Sequence, residues 1–389
     1  MWLRDKRLWA AVAVLPALLF GVSNVRAAVD WPMHRGGPDM LGRVAETVLS
    51  QPKLAWETKV GAGIAGGPAV SFSEAADGIV FIGSIDGQIS ALNLSDGAVL
   101  WQKRLPADIE ATPCVVGDTV YLGASDGTFF ALAVADGSER WRYQTDDKIL
   151  GGAVYVAGEN DAPNRVLFGS YDTHLYCLNA DDGSLLWRFA TDNYVHGSPT
   201  VLGTGETATV VFGGCDGFVY QLALSTGALR AQIDSGAYIP SSVPVYLGFG
   251  YFGNYDDAVL AVDLRTQTIA WRYKDRDFPF FSSPAVTEES LFIGSRDKRL
   301  HAIDRETGER RWTYSTRGKV DASPLVYDDA VVAGSTDGRV YALQPESGEL
   351  IWQYDVGARL TGSPAAVRGW ILIGAEDGYL YALKPANKG

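Results

Sequence analysis

A Gly-x-x-Asp motif recurs eight times along this chain of 389 residues, and successive copies lie 40 to 46 residues apart. Its aspartates are Asp86, Asp126, Asp172, Asp216, Asp256, Asp297, Asp337 and Asp377. Fifteen residues after the aspartate stands a tryptophan in six of the first seven copies, whereas Ala231 stands there after Asp216. With Trp56, which precedes the first copy, the repeated tryptophans are Trp56, Trp101, Trp141, Trp187, Trp271, Trp312 and Trp352. Repetition at this period predicts similar units that bury their apolar faces against their neighbours.

Each repeat carries the pattern of four short antiparallel strands. Apolar runs such as Val340-Tyr341-Ala342-Leu343 are bounded by Ser-x-Asp-Gly and Ser-Gly turns. In the seventh repeat the predicted strands are Ser323–Val326, Ala330–Gly334, Arg339–Leu343 and Leu350–Tyr354. The pattern therefore predicts an all-β, eight-bladed β-propeller with four-stranded antiparallel blades.

The two ends of the repeat array complement each other. The eighth repeat stops in its third strand at Leu383, and residues 53–60, which include Trp56, have a fourth-strand pattern with no blade before them. We predict that this N-terminal strand completes the last blade and closes the ring, which removes an open sheet edge.

The repeated residues are predicted to be structural. A tryptophan that lies flat between blades buries about 150–250 Å², and a turn aspartate accepts backbone N–H groups. The histidines His34, His174 and His301 and the unpaired Cys114, Cys177 and Cys215 are also predicted to be structural. Function is then expected at the positions where the repeats differ.

Composition limits the possible partners and the compartment. Lys and Arg total 33 against 46 Asp and Glu, and the net charge of −13 disfavours a nucleic-acid partner. Residues 1–27 read as a signal peptide, with Arg4, Lys6 and Arg7 before an apolar run that is short for a membrane span and ends near Val25-Arg26-Ala27. We predict a lead-in at residues 28–52, a propeller at residues 53–389, and a soluble periplasmic or secreted product.

One variable residue precedes the innermost strand of every blade. These residues should ring one mouth of the central channel, and they are Ala65, Glu110, Leu150, His196, Pro240, Phe281, Asp321 and Thr361. Glu110, His196 and Asp321 are metal-type ligands, but they belong to separated blades. Because metal–ligand bonds are close to 2 Å, we predict no metal site there.

Aromatic and basic residues lie just outside this ring. Tyr194, Tyr238, Phe278, Phe280 and Phe281 come from three consecutive blades. The basic residues Lys148, Lys319 and Arg359 come from three other blades. One interpretation is a packed rim with incidental charges, and the other is an aromatic patch with a cationic border that binds a ligand or partner together with Glu110, His196 and Asp321.

The fifth blade is interpreted as the least regular one. We assign to it both Ala231, in place of the docking tryptophan, and Gln267, in place of a turn glycine. Neighbouring aromatic residues are expected to fill the space that the missing indole leaves. Such departures mark either function or drift.

The blade pattern Gly-Ser-x-Asp-Gly, Tyr-Ala-Leu, Thr/Ser-Gly, Trp resembles the repeat of the pyrroloquinoline-quinone (PQQ)-like propeller family over about residues 53–385. The segment from Ala302 to Trp312 looks like the tryptophan-docking motif of that family, and residues 31–37 look like its N-terminal lead-in. The resemblance implies one of two branches. Quinoprotein dehydrogenases bind PQQ with calcium or a lanthanide, usually on longer chains with an adjacent-cysteine disulfide, and this chain has no such cysteine pair. The other branch, which this chain resembles most in length and layout, is the eight-bladed, non-catalytic B-type factor of outer-membrane protein assembly.

The function predicted is that of a non-catalytic exported scaffold that binds an envelope protein, a peptide segment or a small ligand, with no cofactor. The alternative is an oxidoreductase or sensor that binds PQQ with Ca²⁺ at the channel mouth. In that case Lys148, Lys319 or Arg359 would pair with the carboxylates of PQQ.

Overall fold

The computed structural model describes residues 31–48, 50–72 and 78–385, and within them eight β-sheets form the blades of a propeller. The predicted signal peptide at residues 1–27 lies outside the described residues. Each blade has strands A to D in antiparallel order, with strand A innermost among them. Blade 7 has a fifth strand, Arg43–Val44, which pairs parallel with its strand A. The predicted fold class is therefore confirmed.

The strand boundaries follow the repeat. Strands A to D of blade 1 are Ala69–Ser71, Ile79–Gly83, Gln88–Asn93 and Val99–Arg104, and those of blade 2 are Cys114–Val116, Thr119–Gly123, Thr128–Ala133 and Glu139–Gln144. Strands A to D of blade 3 are Val154–Val156, Arg165–Gly169, His174–Asn179 and Leu185–Ala190, and those of blade 4 are Thr200–Leu202, Thr209–Gly213, Phe218–Ala223 and Leu229–Asp234. Strands A to D of blade 5 are Val245–Tyr246, Phe249–Gly253, Ala258–Asp263 and Thr268–Lys274, and those of blade 6 are Ala285–Val286, Ser290–Ser295, Arg299–Asp304 and Arg310–Ser315. Those of blade 7 are Leu325–Tyr327, Val331–Gly334, Arg339–Leu343 and Leu350–Asp355. Two 3₁₀ turns, His34–Gly36 and Gly205–Thr207, add to these strands.

Blade 8 combines both ends of the array. Its first three strands are Ala365–Val367, Trp370–Gly374 and Tyr379–Pro385. Strand D is Pro52–Lys59, which pairs antiparallel with Tyr379–Pro385. The N-terminal strand therefore closes the ring, as the sequence predicted.

The repeated tryptophans link neighbouring blades. Each indole N–H donates to a backbone carbonyl in the C–D turn of the next blade, as from Trp101 to Val134 at 2.8 Å. The indole also covers the turn glycine of that blade, so that a Cβ at Gly137, whose φ is +70°, would lie 2.8 Å from Trp101. Trp352 is an exception, because it donates to Val48 of the lead-in. These contacts support the structural role predicted for the tryptophans.

The assignment of Ala231 to blade 5 was wrong, because it lies in strand D of blade 4 and only Gln267 lies in blade 5. Ala231 and Gln267 lie on opposite sides of the same interface, which is the one between blades 4 and 5. Gln221, which pairs with Ala231, donates its side-chain N–H to the carbonyl of Leu264 at 2.8 Å. An amide, rather than the aromatic filling we expected, thus replaces the missing indole hydrogen bond.

In the Gly-x-x-Asp turns, close packing explains the glycine and hydrogen bonding explains the aspartate. A Cβ at Gly83 would lie 2.2 Å from the side chain of Ile109, the buried residue just before the ring residue Glu110. In blade 4, Asp216 accepts the backbone N–H of Asp192 and the hydroxyl of Tyr220. Because Asp192 precedes the blade, the carboxylate connects a blade to the loop that enters it.

The lead-in runs around the inside of the channel, which the sequence did not predict. The inner edge of strand A has no partner within its own blade, and lead-in carbonyls accept its N–H groups in six of the eight blades. These bonds run from Val115 to Pro32, from Val201 to Pro38, from Val245 to Asp39, from Val286 to Leu41 and from Val326 to Gly42. In blade 1, Trp31 and Val70 exchange both backbone bonds. The lead-in therefore lies along the innermost strands of most blades, inside the channel.

Arg35 anchors the lead-in across the ring. Its buried guanidinium donates to the carbonyls of Pro284 in blade 6 and Pro324 in blade 7. Burial lowers the pKa of Arg35 to about 9, while the negative charge of Asp39 opposes this shift.

Candidate functional site

The open end of the channel is a cavity of about 190 Å³ on the propeller axis. Seven of the eight predicted ring residues line it, and Thr361 does not. His34 of the lead-in also lines the cavity. The lead-in thus contributes a side chain to the pocket wall, and the sequence had assigned His34 only a structural role.

Hydroxyl groups form a chain around this pocket. The backbone N–H of Ser198, Ser242, Ser283 and Ser323 each donates to the side-chain oxygen of the serine in the next blade, at 2.9 to 3.1 Å. Ser363 is the last acceptor in this chain, and Thr112 accepts from Gly67 in the same way across blades 1 and 2. The serine chain joins blades 4 to 8 and places its hydroxyls on the pocket wall.

Two neutral histidines face the pocket. Burial, helped by the charge of Arg35, lowers the pKa of His34 to about 3. Burial also lowers the pKa of His196, whose Nδ1 lies 2.8 Å from the hydroxyl of Tyr171. Both imidazoles are therefore uncharged at neutral pH.

The His34→Gln variant is expected to reduce the loss of stability in acid. The pKa of about 3 in the folded protein lies below the ordinary histidine value of 6.5. The unfolded chain therefore binds the proton first, and the stability present above pH 6.5 falls as the pH approaches 3. One pKa unit corresponds to about 1.4 kcal/mol. The free energy of unfolding, measured with urea between pH 7.5 and 4, should decline less steeply with falling pH for the variant than for the wild type, and His196 should cause the decline that remains. An identical decline in both proteins would contradict the prediction.

An aromatic ledge lies on the rim beside the pocket, and it consists of Tyr171, Tyr194, Tyr238, Tyr255 and Phe281. Tyr171 and Tyr194 stack with ring centroids 4.5 Å apart. Tyr255 packs edge-on against both Tyr238 and Phe281, at centroid distances of 6.0 and 4.8 Å. Tyr194, Tyr238 and Tyr255 are 44 to 50% exposed. The ledge therefore combines mutually packed rings with open faces.

Tyr171 and Tyr255 were missed by the sequence analysis, as was Arg296, whose guanidinium carbon lies 3.7 Å from the Phe281 ring centroid. All three stand directly before the repeated aspartate. The backbone N–H at this position donates to the loop that enters the blade, as from Tyr255 to the carbonyl of Tyr238. The sequence signal that could have identified these three residues is that this position varies between repeats, whereas the rest of the turn is regular.

The remaining predicted rim residues are not all brought together. Phe278 is exposed, but Phe280 is buried against Tyr273 and His301, so its assignment to the rim was wrong. Phe280 occupies the buried position before a ring residue, where the other blades also have apolar side chains.

The basic residues divide between the two sides of the mouth. The carbonyl of Lys148 accepts the N–H of Tyr171, which places Lys148 beside the ledge. Lys319 and Arg359 lie in the loops that enter blades 7 and 8, and Arg359 forms an ion pair with Glu376 at 3.1 Å. The cationic border is therefore partly neutralised.

One cluster among the described residues, Asp275, Asp297 and His301, has three potential metal ligands within 4.8 Å of one another. Arg299 and Arg310 each form an ion pair with Asp275, at 3.3 and 3.1 Å. His301 contacts Asp297 and the hydroxyl of Tyr273. Two guanidinium groups already balance the two carboxylates, so the cluster has the composition of a structural charge network.

The three cysteines are unpaired and lie in different blades. Burial raises the pKa of the Cys114 and Cys177 thiols to about 12 and that of Cys215 to about 11. Cys177 pairs with Trp187, at a position where most other blades have alanine.

The residues that line the pocket do not fit PQQ. PQQ is a planar tricarboxylate, and such ligands are held by cationic donors. The pocket lining includes Glu110 and Asp321 but contains neither lysine nor arginine. Arg296 is already paired with Asp321 and Arg359 with Glu376, so the carboxylates of PQQ would meet Glu110 without a lysine or arginine in the lining.

The fold and the repeat together define a PQQ-like eight-bladed β-propeller. A family model described as outer membrane protein assembly factor BamB matches residues 42–160 and 253–387, which is more than half of the chain. The chain belongs to this family. A second model, described as the lambda-carrageenase β-propeller domain, matches residues 124–243. No curated protein matches the chain in sequence.

Solved structures share the fold at low sequence identity. BamB from Moraxella catarrhalis has a TM-score of 0.70 and 19% identity, covering 87% of this chain and 99% of its own. The computationally designed Ika8 protein has a TM-score of 0.71 and 17% identity, with 85% and 99% covered. Quinohemoprotein alcohol dehydrogenase from Comamonas testosteroni has a TM-score of 0.73 and 14% identity, with 94% and 82% covered. Identities this low show the fold alone.

Over the part of the chain that the structure describes, no helix has the length and apolar character that crossing a membrane requires.

Proposed function

We propose that this protein is a non-catalytic binding scaffold of the bacterial cell envelope, and that it captures a segment of a partner protein on the aromatic ledge. The observation that carries the proposal is the ledge itself. It consists of a stacked pair, Tyr171 and Tyr194, and a packed trio from neighbouring blades, Tyr238, Tyr255 and Phe281, and three of the five rings are about half exposed. Tyrosine is enriched at the energetic centres of protein interfaces because its ring is large and rigid and has a polar end.

Family membership supports the same reading. The matching family model is described as an outer membrane protein assembly factor, and this description supports an envelope protein as the partner of this chain. Export through the predicted signal peptide at residues 1–27 would bring the propeller to that compartment, and the site residues Glu110, Lys148, Phe278, Lys319, Asp321 and Arg359 would border the ledge.

Replacing Tyr194, Tyr238 and Phe281 by serine is expected to reduce partner capture at least tenfold. Truncation of interface hot spots costs about 2 kcal/mol or more each, and 1.4 kcal/mol corresponds to a factor of ten. The measurement is quantitative mass spectrometry of envelope proteins that cross-link to the purified full chain, followed by titration of the most enriched protein.

A matched control separates the ledge from general surface hydrophobicity. Leu100, Leu229 and Leu350 are 44 to 50% exposed on the outer strands of blades 1, 4 and 7. Their replacement by serine should leave capture unchanged. Equal losses in both triple variants, or undiminished capture by a folded ledge variant, would contradict the proposal.

The quinoprotein alternative is tested separately. Purified protein is titrated with PQQ and Ca²⁺ while absorbance and dye-linked alcohol oxidation are followed. Since the pocket presents carboxylates and no lysine or arginine, we expect neither saturable binding nor turnover. Saturable binding with turnover would favour the alternative.

A further inference from the structure

The axial pocket beneath the ledge differs from the ledge in chemistry. The ledge offers exposed aromatic faces, whereas the pocket wall is polar, with seven hydroxyl-bearing residues among those that line it. His34 of the lead-in contributes to the same wall. A volume of about 190 Å³ corresponds to about six water molecules at about 30 Å³ each. The pocket therefore admits one compact polar molecule.

The hydroxyls of the wall have unused donors. Each oxygen in the chain from Ser242 to Ser363 accepts a backbone N–H, and no described residue accepts the hydrogen of these hydroxyls. Ser241, which is 3% exposed, also lines the pocket, and its hydroxyl oxygen has no partner among the described residues. A buried hydroxyl without a partner is costly. The wall is therefore preorganised to donate hydrogen bonds to a ligand.

The charge of the pocket limits what that ligand can be. Glu110 and Asp321 supply carboxylates, and Asp321 is paired with Arg296 at 3.1 Å. Both histidines are neutral because burial lowers their pKa. An anion would meet Glu110 with no lysine or arginine in the lining, and an apolar molecule would leave the hydroxyls unsatisfied. The ligand must both accept hydrogen bonds from serine hydroxyls and donate to carboxylates.

We propose that the axial pocket binds a neutral polyhydroxylated molecule the size of a single sugar ring. Each ligand hydroxyl acts as donor and acceptor at once, which matches a wall of hydroxyl donors facing the Glu110 carboxylate. Phe281 contributes an apolar wall at the mouth, against which the C–H face of a sugar packs. The pocket shares Phe281 with the ledge, but its serine hydroxyls and Glu110 do not belong to the ledge.

Isothermal titration calorimetry of the full chain tests this proposal with D-glucose, D-galactose, N-acetylglucosamine and myo-inositol as neutral probes. D-glucuronate is the anionic probe and CaCl₂ is the cation probe. At least one neutral probe should bind saturably, and glucuronate should bind at least tenfold more weakly than that probe. Saturable binding of none of the neutral probes, or of CaCl₂ alone, would overturn the proposal.

Two conservative variants place the binding in the pocket. The Glu110→Gln variant should weaken the binding probe about tenfold, since a hydrogen bond to a charged group is worth about 1.5–3 kcal/mol. The Ser241→Ala variant should weaken it about two- to fivefold and leave folding intact, because this hydroxyl has no partner among the described residues. The matched control is Asp108→Asn, an exposed carboxylate in the same loop that does not line the pocket.

The control should bind like the wild type. Binding that is unchanged in both pocket variants, with thermal unfolding midpoints equal to the wild type, would overturn the assignment to the pocket. Binding should also persist in the ledge variant Tyr194→Ser/Tyr238→Ser, because neither tyrosine lines the pocket. This result separates failure of the pocket proposal from failure of the scaffold proposal.

Discussion

A chain that lacks residues 51–60 is expected to form no compact folded monomer. The deletion removes strand D of blade 8, which pairs with Tyr379–Pro385 from Pro52 to Lys59. It also removes Trp56, whose indole N–H donates to Leu94 of blade 1. Loss of a buried tryptophan alone costs about 3–5 kcal/mol, each lost ladder bond costs about 1 kcal/mol net, and whole domains are stable by about 5–15 kcal/mol. The sum reaches the total stability.

Size-exclusion chromatography with light scattering and urea unfolding measure this outcome. The freed edge of the strand Tyr379–Pro385 should pair with other copies, so that oligomers and aggregates replace the monomer. Moving residues 51–60 behind residue 385 through a short turn is the control, because it restores the same strand from the other end. A monomeric deletion variant with a cooperative wild-type unfolding transition would refute the closure.

At the interface between blades 4 and 5, we expect the residues that the other blades have at positions 221, 231 and 267 to be tolerated only when all three are introduced together. Ala231→Trp alone should destabilise by about 1–3 kcal/mol, because Gln221 pairs with position 231 and Gln267 replaces the turn glycine that the indole covers elsewhere. Gln221→Ala alone should cost about 1–3 kcal/mol, because the carbonyl of Leu264 loses its donor.

The triple variant Gln221→Ala/Ala231→Trp/Gln267→Gly should be at least as stable as the wild type. The indole then has a small residue opposite it, as Trp101 has Ala91, and a glycine to cover. Urea unfolding of all single, double and triple variants gives the coupling energy. The reference is Trp101→Ala, expected to lose about 3–5 kcal/mol. If the losses of stability from the three substitutions were additive, the proposal that the Gln221 amide replaces the missing indole would be refuted.

Much of the fold was predictable because each repeat encodes its own blade. The turn glycine and aspartate, the alternating strand and the docking tryptophan all act within one blade or between consecutive blades. The seventh blade shows this, since the predicted strand Arg339–Leu343 is the observed one. Phe280 shows the limit, because a local pattern of aromatics did not reveal which ring faces the core.

The candidate site was predictable only in part. The ring position is set by its spacing from the tryptophan, so seven of the ring residues that line the pocket could be named from the sequence. Tyr171 and Tyr255 escaped because they come from turns that meet the entering loops only in the assembled rim. Their roles as binding residues remain predictions that the ledge variants test.

By itself, the sequence determined the number of blades, their strand order and the closure of the ring, because each of these follows from short-range patterns repeated eight times. Only the tertiary structure decided the path of residues 31–48 and, with it, the place of His34 in the pocket wall. Those residues bond through backbone carbonyls to strands as distant as Val326, and backbone groups leave no side-chain pattern to read. The chain of serine hydroxyls was decided in the same way, since each bond joins residues about 40 positions apart.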